Sequence, residues 1–184
     1  NLTYNYSSQE IILSSDKKVY TGRKETINIL TRLVRKYNEE KAFETHLQAY
    51  IIQNIGRNTN KSLDNCLLDS LPIEWIGNEV SCGVGMQRID VMFSLLKKDT
   101  RIVVPIELKA VEASTDNIYQ IQRYVDWLEQ YYIPNRVSDI QPVLISKRME
   151  NKDNASYKDI INSFRDFNKK NSRCFSLKYI EYEL

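Results

Sequence analysis

The sequence predicts a single α/β domain with a mixed central sheet flanked by helices. Segments with apolar residues every three or four positions, typical of amphipathic helices, precede and follow a group of apolar strand-like runs. A short charged turn joins two of these runs, which indicates a hairpin. The 184 residues, 42% hydrophobic and 27% charged, are enough for one globular domain with a buried core.

Two helices are expected before the sheet. Residues 1–38 would form an N-terminal extension, made of a short strand and an amphipathic helix. The apolar stripe of that helix holds Ile27, Leu30 and Val34. A second helix, over 38–56, ends at Gly56, a residue type that is common just past helix ends. Its apolar residues recur at every fourth position: Phe43, Leu47, Ile51 and Ile55. The polar run 57–69 is expected to be a loop.

The core of the domain is expected at 39–148, with its elements in the order α-β-β-β-α-β. Its strands are expected at 73–81, 88–96, 101–109 and 141–147. The helix at 114–132 follows the third strand and is closed by Pro134. Its apolar stripe contains Ile118, Ile121, Val125, Leu128 and Tyr132. Residues 149–184 would add a helix and a final strand that pack on the same domain.

The third expected strand carries two charges within an apolar run. Side chains alternate along a strand, so Glu107 and Lys109 point to the same face. A hairpin with the preceding strand would bring Asp90 beside Glu107, since 107 − 90 = 17 residues suits two strands and a tight turn. Two adjacent carboxylates raise each other's pKa unless a cation lies between them, and Mg²⁺ prefers oxygen ligands. The spacing therefore indicates a candidate divalent-metal site.

These residues resemble the catalytic signature of a known nuclease superfamily. Asp90 followed by Glu107-Leu108-Lys109 resembles the PD-(D/E)XK signature, with Ile89 where the nominal motif has proline. The expected element order is similar to the restriction-endonuclease-like core of that superfamily. Glu44 on the first core helix, and the runs RIDV and YQIQRYV, make residues 40–146 similar to the nuclease domain of the NucS/EndoMS family.

The resemblance implies a DNA endonuclease that hydrolyses phosphodiester bonds with a water activated by Mg²⁺, for which Mn²⁺ can substitute. Asp90, Glu107 and the main-chain carbonyl of Leu108 would hold the metal. Lys109 would position or activate the water. The full catalytic set that the resemblance implies is Asp90, Glu107, Lys109, Glu44 and Gln120, the last two supporting the metal or the water around it.

Three basic residues are candidates for contact with DNA. Arg123, one helical turn from Gln120, is placed to contact a backbone phosphate. Arg88, at the start of the second strand, and Lys147, in a basic pair after the last core strand, are the other two. Arg123 could equally pair with Asp126 or be solvated, and basic clusters such as Lys147 with Arg148 are usually solvated faces.

The sequence leaves several readings of this site open. Within the nuclease class, the substrate is either mismatched or branched DNA, as in repair, or a specific sequence, as in type II-like restriction, where a homodimer would be expected. A rival from another class is a non-catalytic DNA-binding module on the same fold. Gln120 also shares a second helical stripe with Tyr124, Trp127 and Tyr131, so it could simply rim the core.

Composition limits the other function classes. Net charge is +2 from 26 basic and 24 acidic residues, too balanced to indicate nucleic-acid binding by itself. The three cysteines are widely spaced and form no C-x-x-C pair, which speaks against a disulfide framework and a zinc site and favours a cytoplasmic protein. No apolar run approaches the roughly 20 residues of a membrane span, so no membrane partner is expected.

Overall fold

The computed structural model describes residues 2–5, 10–13, 29–83, 87–133 and 138–184. Its strands are β1 (Leu2–Asn5), β2 (Glu10–Leu13), β3 (Ile73–Ser81), β4 (Arg88–Lys97), β5 (Thr100–Glu112), β6 (Ser138–Ile140), β7 (Val143–Lys147) and β8 (Lys178–Tyr182). Its α-helices are α1 (Ile29–Asn38), α2 (Glu44–Asn54), α3 (Lys61–Leu68), α4 (Thr115–Trp127) and α5 (Ala155–Lys170). A π-helical turn, Leu128–Tyr132, continues α4.

The central sheet is mixed and has six strands. Its main path runs β3-β4-β5-β7-β8, and β6 pairs with the first part of β5. The pairs β3–β4 and β4–β5 are antiparallel, whereas β5–β7 and β7–β8 are parallel, as is β5–β6. The strands β1 and β2 form a separate antiparallel pair. The seam between the antiparallel and parallel halves is therefore β5, whose residues 102–108 are all buried.

Helices cover both faces of this sheet. On one face α4 and α5 contribute buried residues such as Ile121, Val125 and Phe167 to the core. On the other face α1, α2 and α3 contribute residues such as Leu33 and Ile51. A sheet covered on both sides accounts for the continuous apolar run of β5, because a strand with one face in solvent would alternate polar and apolar residues.

The predicted α/β class, the mixed sheet and its flanking helices are confirmed. The hairpin between β4 and β5 forms at the charged turn, where Lys98 has φ +53°. The apolar residues that the sequence placed every fourth position around α2 are all buried: Phe43, Leu47, Ile51 and Ile55. Gly56 follows with φ +71°, the left-handed conformation that favours glycine beyond a helix end.

The expectation that 57–69 is a loop is wrong, because Lys61–Leu68 forms α3. Asn60 caps this helix by accepting a hydrogen bond from the Leu63 N–H at 3.0 Å. Asp64 lies within it and accepts hydrogen bonds from the main chain of the preceding turn, at Gly56 and Asn58. The helix is only about two turns long, and the polar residues around Leu63, Cys66 and Leu67 obscure the helical spacing of these three.

The buried side of α1 also differs from the prediction. Leu30 is 43% exposed, whereas Leu33 is fully buried, and Ile27 lies outside the described residues. One turn after Leu33, the Tyr37 ring lies 5.8 Å from the ring of Phe43, between centroids. This aromatic contact with the start of α2 fixes which side of α1 faces the core.

The end of the helix after β5 is wound differently from a regular α-helix. The Ile133 N–H donates to the Leu128 carbonyl at 2.8 Å, a bond across five residues. This winding brings the ring of Tyr132 to 6.1 Å from that of Trp127, in a stacked arrangement, and leaves Tyr132 43% exposed. Tyr132 is therefore at the rim of the predicted apolar stripe, and Pro134 lies outside the described residues.

Within the described ranges, no helix is both long enough and apolar enough to cross a membrane.

Replacing Gly56 tests the turn between α2 and α3. A Cβ at this position would lie 2.8 Å from Ile73 Cδ1, and φ +71° is unfavourable for other residues. We expect Gly56→Ala to lower the free energy of unfolding by about 1 to 2 kcal/mol in urea denaturation. The exposed α2 position Gln53 provides the control, and Gln53→Ala should change stability by less than about 0.5 kcal/mol. An unchanged urea midpoint for Gly56→Ala would contradict this view of the turn.

Candidate active site

The two acids of the motif lie side by side where β4 begins and β5 nears its end. β4 and β5 are antiparallel with Val91 opposite Ile106, so Asp90 and Glu107 are the next opposing pair along these strands. Glu107 has no exposed surface, and Asp90 is partly buried. The structure therefore places both carboxyl groups together in a poorly hydrated region, as the predicted hairpin requires.

Asp90 is held by hydrogen bonds that are not part of the regular strand ladders. Its Oδ2 accepts from the Leu108 main-chain N–H at 2.7 Å, and its main-chain carbonyl accepts from Gln48 Nε2 at 2.6 Å. β3 pairs with β4 on both sides of Asp90, but Glu79, opposite it, has φ +52°. Side chains thus supply hydrogen bonds at the point where the ladder is interrupted.

Glu107 contacts a lysine and a tyrosine. Lys109 Nζ lies 2.6 Å from Oε1 of Glu107, and the Tyr124 hydroxyl donates to Oε2 at 2.6 Å. Oε1 is buried and accepts no well-oriented hydrogen bond from the described residues, so its contact with Lys109 is that of an ion pair. A buried carboxylate requires such partners, because an isolated charge in this environment would be strongly unfavourable.

Lys109 links the sheet to the first core helix. Its ammonium lies 3.4 Å from Oε1 of Glu44, the first residue of α2, as well as 2.6 Å from Glu107. Its main-chain carbonyl accepts a hydrogen bond from the Tyr182 hydroxyl at 2.9 Å, which ties this part of β5 to β8. The structure therefore brings Glu44, Glu107 and Lys109 together, with the lysine between the two acids.

Burial shapes the proton affinities of these groups. Burial, reinforced by the charge of Glu107, raises the pKa of Asp90 to about 7. Burial also raises the pKa of Glu107, although the ammonium of Lys109 and the hydroxyl of Tyr124 favour its ionised form. Burial disfavours the charged form of Lys109, but its interaction with Glu107 outweighs this and raises the pKa of Lys109. The carboxyl group of Asp90 should therefore titrate near neutral pH.

Gln120 reaches the acids through Tyr124. Gln120 Nε2 donates to the Tyr124 hydroxyl at 2.7 Å, and that hydroxyl faces two acceptors, Oε2 of Glu107 at 2.6 Å and the Arg88 carbonyl at 2.7 Å. A hydroxyl has one hydrogen to donate, so it cannot fully satisfy both acceptors.

The three candidate DNA-contacting residues lie on three different elements: Arg123 on α4, Arg88 on β4 and Lys147 on β7. Arg123 is exposed on α4, next to Tyr124 in sequence. The Arg88 side chain is 50% exposed, and its Nη1 lies 3.4 Å from Oε2 of Glu79. Lys147 lies over the ring of Tyr37, 5.3 Å from its centroid, and lines a cleft of about 540 Å³ that also includes Glu44.

Sequence reasoning missed three residues at the site: Tyr124, Gln48 and Glu79. Tyr124 belongs to a recognised helical stripe, but its role follows from contacts to β4 and β5 that the stripe does not reveal. Gln48 lies one turn after Glu44 on α2, and this four-residue spacing was the available signal. Glu79 has no sequence signal, because its importance comes from its left-handed backbone and its hydrogen bond with Gln48.

The metal-binding capacity of the cluster depends on two carboxylates. Among the described residues, no group of three or more His, Cys, Asp and Glu side chains lies close enough together to hold a metal ion. The two motif acids, the adjoining main-chain carbonyl of Leu108 and the neighbouring Glu44 are the oxygen donors in this region. Chemically, this set is suited to a hard divalent cation that keeps several water ligands.

The stability of the metal-free protein should depend on pH through Asp90. Its pKa is about 7 in the folded protein, against 3.8 for the unperturbed group. The folded state binds more protons between these values, so the free energy of unfolding should fall as pH rises from about 4 to about 7. The fall should be at most a few kcal/mol, at about 1.4 kcal/mol per pKa unit.

Urea denaturation in EDTA across this pH range measures the effect. Asp90→Asn should flatten the dependence, and Asp99→Asn, in the exposed β4–β5 turn, should leave it unchanged. Equal slopes for the wild type and Asp90→Asn would show that Asp90 does not carry the shifted pKa.

Tyr124→Phe should destabilise the protein through the loss of one hydroxyl. The change leaves the Glu107 carboxylate and the Arg88 carbonyl without their donor, which should cost about 1 to 3 kcal/mol in denaturant unfolding. Tyr119→Phe, at a 65% exposed position on the same helix, is the matched control and should be nearly neutral. A Tyr124→Phe protein as stable as the control would mean that the hydroxyl is not needed to support Glu107.

Comparisons with known proteins give no match that would indicate the role of this site. No protein-family model, curated protein or solved structure matches the chain.

Proposed function

We propose that the protein is a metal-dependent DNA endonuclease with a restriction-endonuclease-like core. The observation that carries the proposal is the meeting of Asp90, Glu107 and Lys109 at adjacent positions of the β4–β5 hairpin. A helix on each side of the sheet adds a polar side chain to the cluster, Glu44 from α2 and Tyr124 from α4. This combination favours phosphodiester hydrolysis, because it joins oxygen donors for a metal to a cation that can face a phosphate.

The residues present fit a divalent cation by their chemistry. Asp90, Glu107 and the main-chain carbonyl of Leu108 would hold it, which gives the oxygen donor set that Mg²⁺ or Mn²⁺ prefers. Burial raises the pKa of both carboxyls, and a dication beside them would favour their ionised forms. When bound, such an ion polarises a phosphoryl oxygen and lowers the pKa of a coordinated water.

Lys109 is the residue best placed to act on the water or the phosphate. Its ammonium is held between Glu107 and Glu44, and the Lys109 side chain is 21% exposed, so it remains reachable from solvent. From this position it would orient the attacking water or stabilise negative charge on the phosphate. Gln120 and Tyr124 would keep the Glu107 carboxylate in place through the hydrogen bonds they share.

The surroundings of the cluster are consistent with a DNA backbone as the ligand. Arg88 and Arg123 are exposed on β4 and α4, whereas the cleft that Lys147 lines beside Glu44 also contains Glu40, Glu112 and Glu150, so the two arginines are the better candidates for phosphate contact. Contacts from such side chains to phosphates position DNA without reading its sequence. The cleavage assay therefore decides between mismatched or branched DNA and a specific sequence.

The proposal predicts metal-dependent cleavage that requires the motif acids. The assay uses supercoiled plasmid together with plain, mismatched and flapped duplexes, in EDTA, Mg²⁺ or Mn²⁺. Asp90→Asn and Glu107→Gln should each reduce cleavage by more than about 100-fold, since even residues that only orient metal ligands contribute roughly 10- to 100-fold. Asp99→Asn should cleave like the wild type, because Asp99 lies in the exposed turn.

The products distinguish the substrate classes. Preference for the mismatched or flapped duplex would indicate a repair nuclease, whereas symmetric cuts at a fixed sequence would indicate restriction by a homodimer. DNA binding without cleavage in any metal would favour the non-catalytic module. Cleavage that survives both substitutions would refute the assignment of this site.

A further inference from the structure

We infer that Gln48 is a positioning residue for the metal site, acting through the main chain of Asp90 and in partnership with Glu79. This inference rests on the proposed function, because it assigns Gln48 a role in binding the divalent cation. Gln48 touches neither the motif carboxylates nor Lys109 by any hydrogen bond among the described residues, so its influence is indirect.

The geometry around Gln48 is specific. It is 6% exposed and lies on α2, four residues after Glu44. Its Nε2 atom donates to the Asp90 carbonyl at 2.6 Å and to Oε1 of Glu79 at 2.9 Å. An amide nitrogen has two hydrogens, so both contacts can be full hydrogen bonds at the same time.

Asp90 needs such a contact because of its place in the sheet. Ile89 and Val91 pair with β3, but the residue opposite Asp90 is Glu79, whose left-handed backbone interrupts the regular pairing. On the other side, the Leu108 N–H bonds to the Asp90 side chain at 2.7 Å. Gln48 therefore fixes the main chain of Asp90 while Leu108 fixes its carboxylate, and together these two contacts set the direction of that carboxylate.

Glu79 is the second residue to which Gln48 donates a hydrogen bond. A residue other than glycine with φ +52° is uncommon and is retained only where surrounding contacts hold it. The Glu79 carboxylate accepts from Gln48 at 2.9 Å and lies 3.4 Å from Arg88 Nη1. Gln48 thus connects three elements at the site: helix α2, the edge strand β3 and the strand that carries Asp90.

Four variants separate positioning of Asp90 from a purely structural role. Gln48→Leu removes both hydrogen bonds. Gln48→Glu keeps the shape but cannot donate when ionised. The exchange Gln48→Glu with Glu79→Gln restores a hydrogen bond between positions 48 and 79 but not the one to the Asp90 carbonyl. Gln53→Leu, at an exposed position of the same helix, is the matched control.

Each variant is measured in two ways that do not depend on cleavage. Urea denaturation in EDTA reports stability, and the Mn²⁺ concentration at half-maximal thermal stabilisation reports metal affinity. We expect Gln48→Leu and Gln48→Glu to raise that concentration by roughly 10- to 100-fold, as for other residues that orient metal ligands. The exchange variant should regain stability in EDTA relative to Gln48→Glu and still bind Mn²⁺ weakly. Cleavage by Gln48→Leu should recover as Mg²⁺ is raised.

The outcomes separate this inference from the proposed function. Stabilisation of the wild type by Mn²⁺, with equal half-saturation in the Gln48 variants, would overturn the inference and leave the nuclease proposal standing. Wild-type Mn²⁺ affinity in the exchange variant would also overturn it, because the contact with Glu79 alone would then be sufficient. If the wild type neither binds metal nor cuts DNA, both proposals fail. Should Gln48→Leu not fold, Gln48→Glu provides the same comparison.

Discussion

The structure around the site depends on one buried carboxylate, Glu107, in the strand with the longest run of buried residues. It has no exposed surface, and its neighbours along β5 are apolar. A lone charge would not be tolerated there, and breaking a buried ion pair by removing one partner typically costs about 3 to 5 kcal/mol. Glu107 therefore requires Lys109 from its own strand and Tyr124 from α4, and Lys109 in turn reaches Glu44 on α2.

At Asp90, hydrogen bonds that involve side chains replace part of the regular strand pairing. Next to Asp90 the pairing with β3 is interrupted at Glu79, and the hydrogen bonds of Asp90 come from Gln48 and from Leu108. Local departures of this kind weaken a sheet unless other interactions compensate for them, and in natural proteins they concentrate at functional sites. In the same region burial raises the pKa of both motif acids, and the charge of Glu107 raises that of Asp90 further.

Much of the fold could be predicted because its signals are local. The apolar run of β5, the charged turn before it and the apolar residues spaced around α2 each lie within one short segment. In contrast, α3 spans only eight residues, so the helical spacing of Leu63, Cys66 and Leu67 covers little more than one turn and is too short to give a clear period. The rotation of α1 was equally hidden, because it is set by the contact of Tyr37 with a neighbouring helix.

The site was predictable only as far as its strand motif. Asp90, Glu107 and Lys109 follow from strand alternation and a hairpin, which are properties of a continuous stretch of chain. Tyr124 and Gln48 owe their roles to hydrogen bonds that span 36 and 42 residues, to Arg88 and Asp90 respectively. No pattern within a single element records such contacts, since they depend on how the helices pack against the sheet.

Because β5 lies between the antiparallel and parallel halves of the sheet, different segments of the chain bring the acids together and support them. The residues that bring the acids together lie between Glu44 and Lys109, in helices and antiparallel strands joined by short connections. Closing short loops loses less conformational entropy than closing long ones, so this stretch specifies the pairing of Asp90 with Glu107 mainly by itself. The parallel strand β7 joins β5, and β8 joins β7, only after long crossovers. The chain after β5 thus supports the acids, through Tyr124 of α4 and the contact of Tyr182 with Lys109, rather than deciding which residues pair.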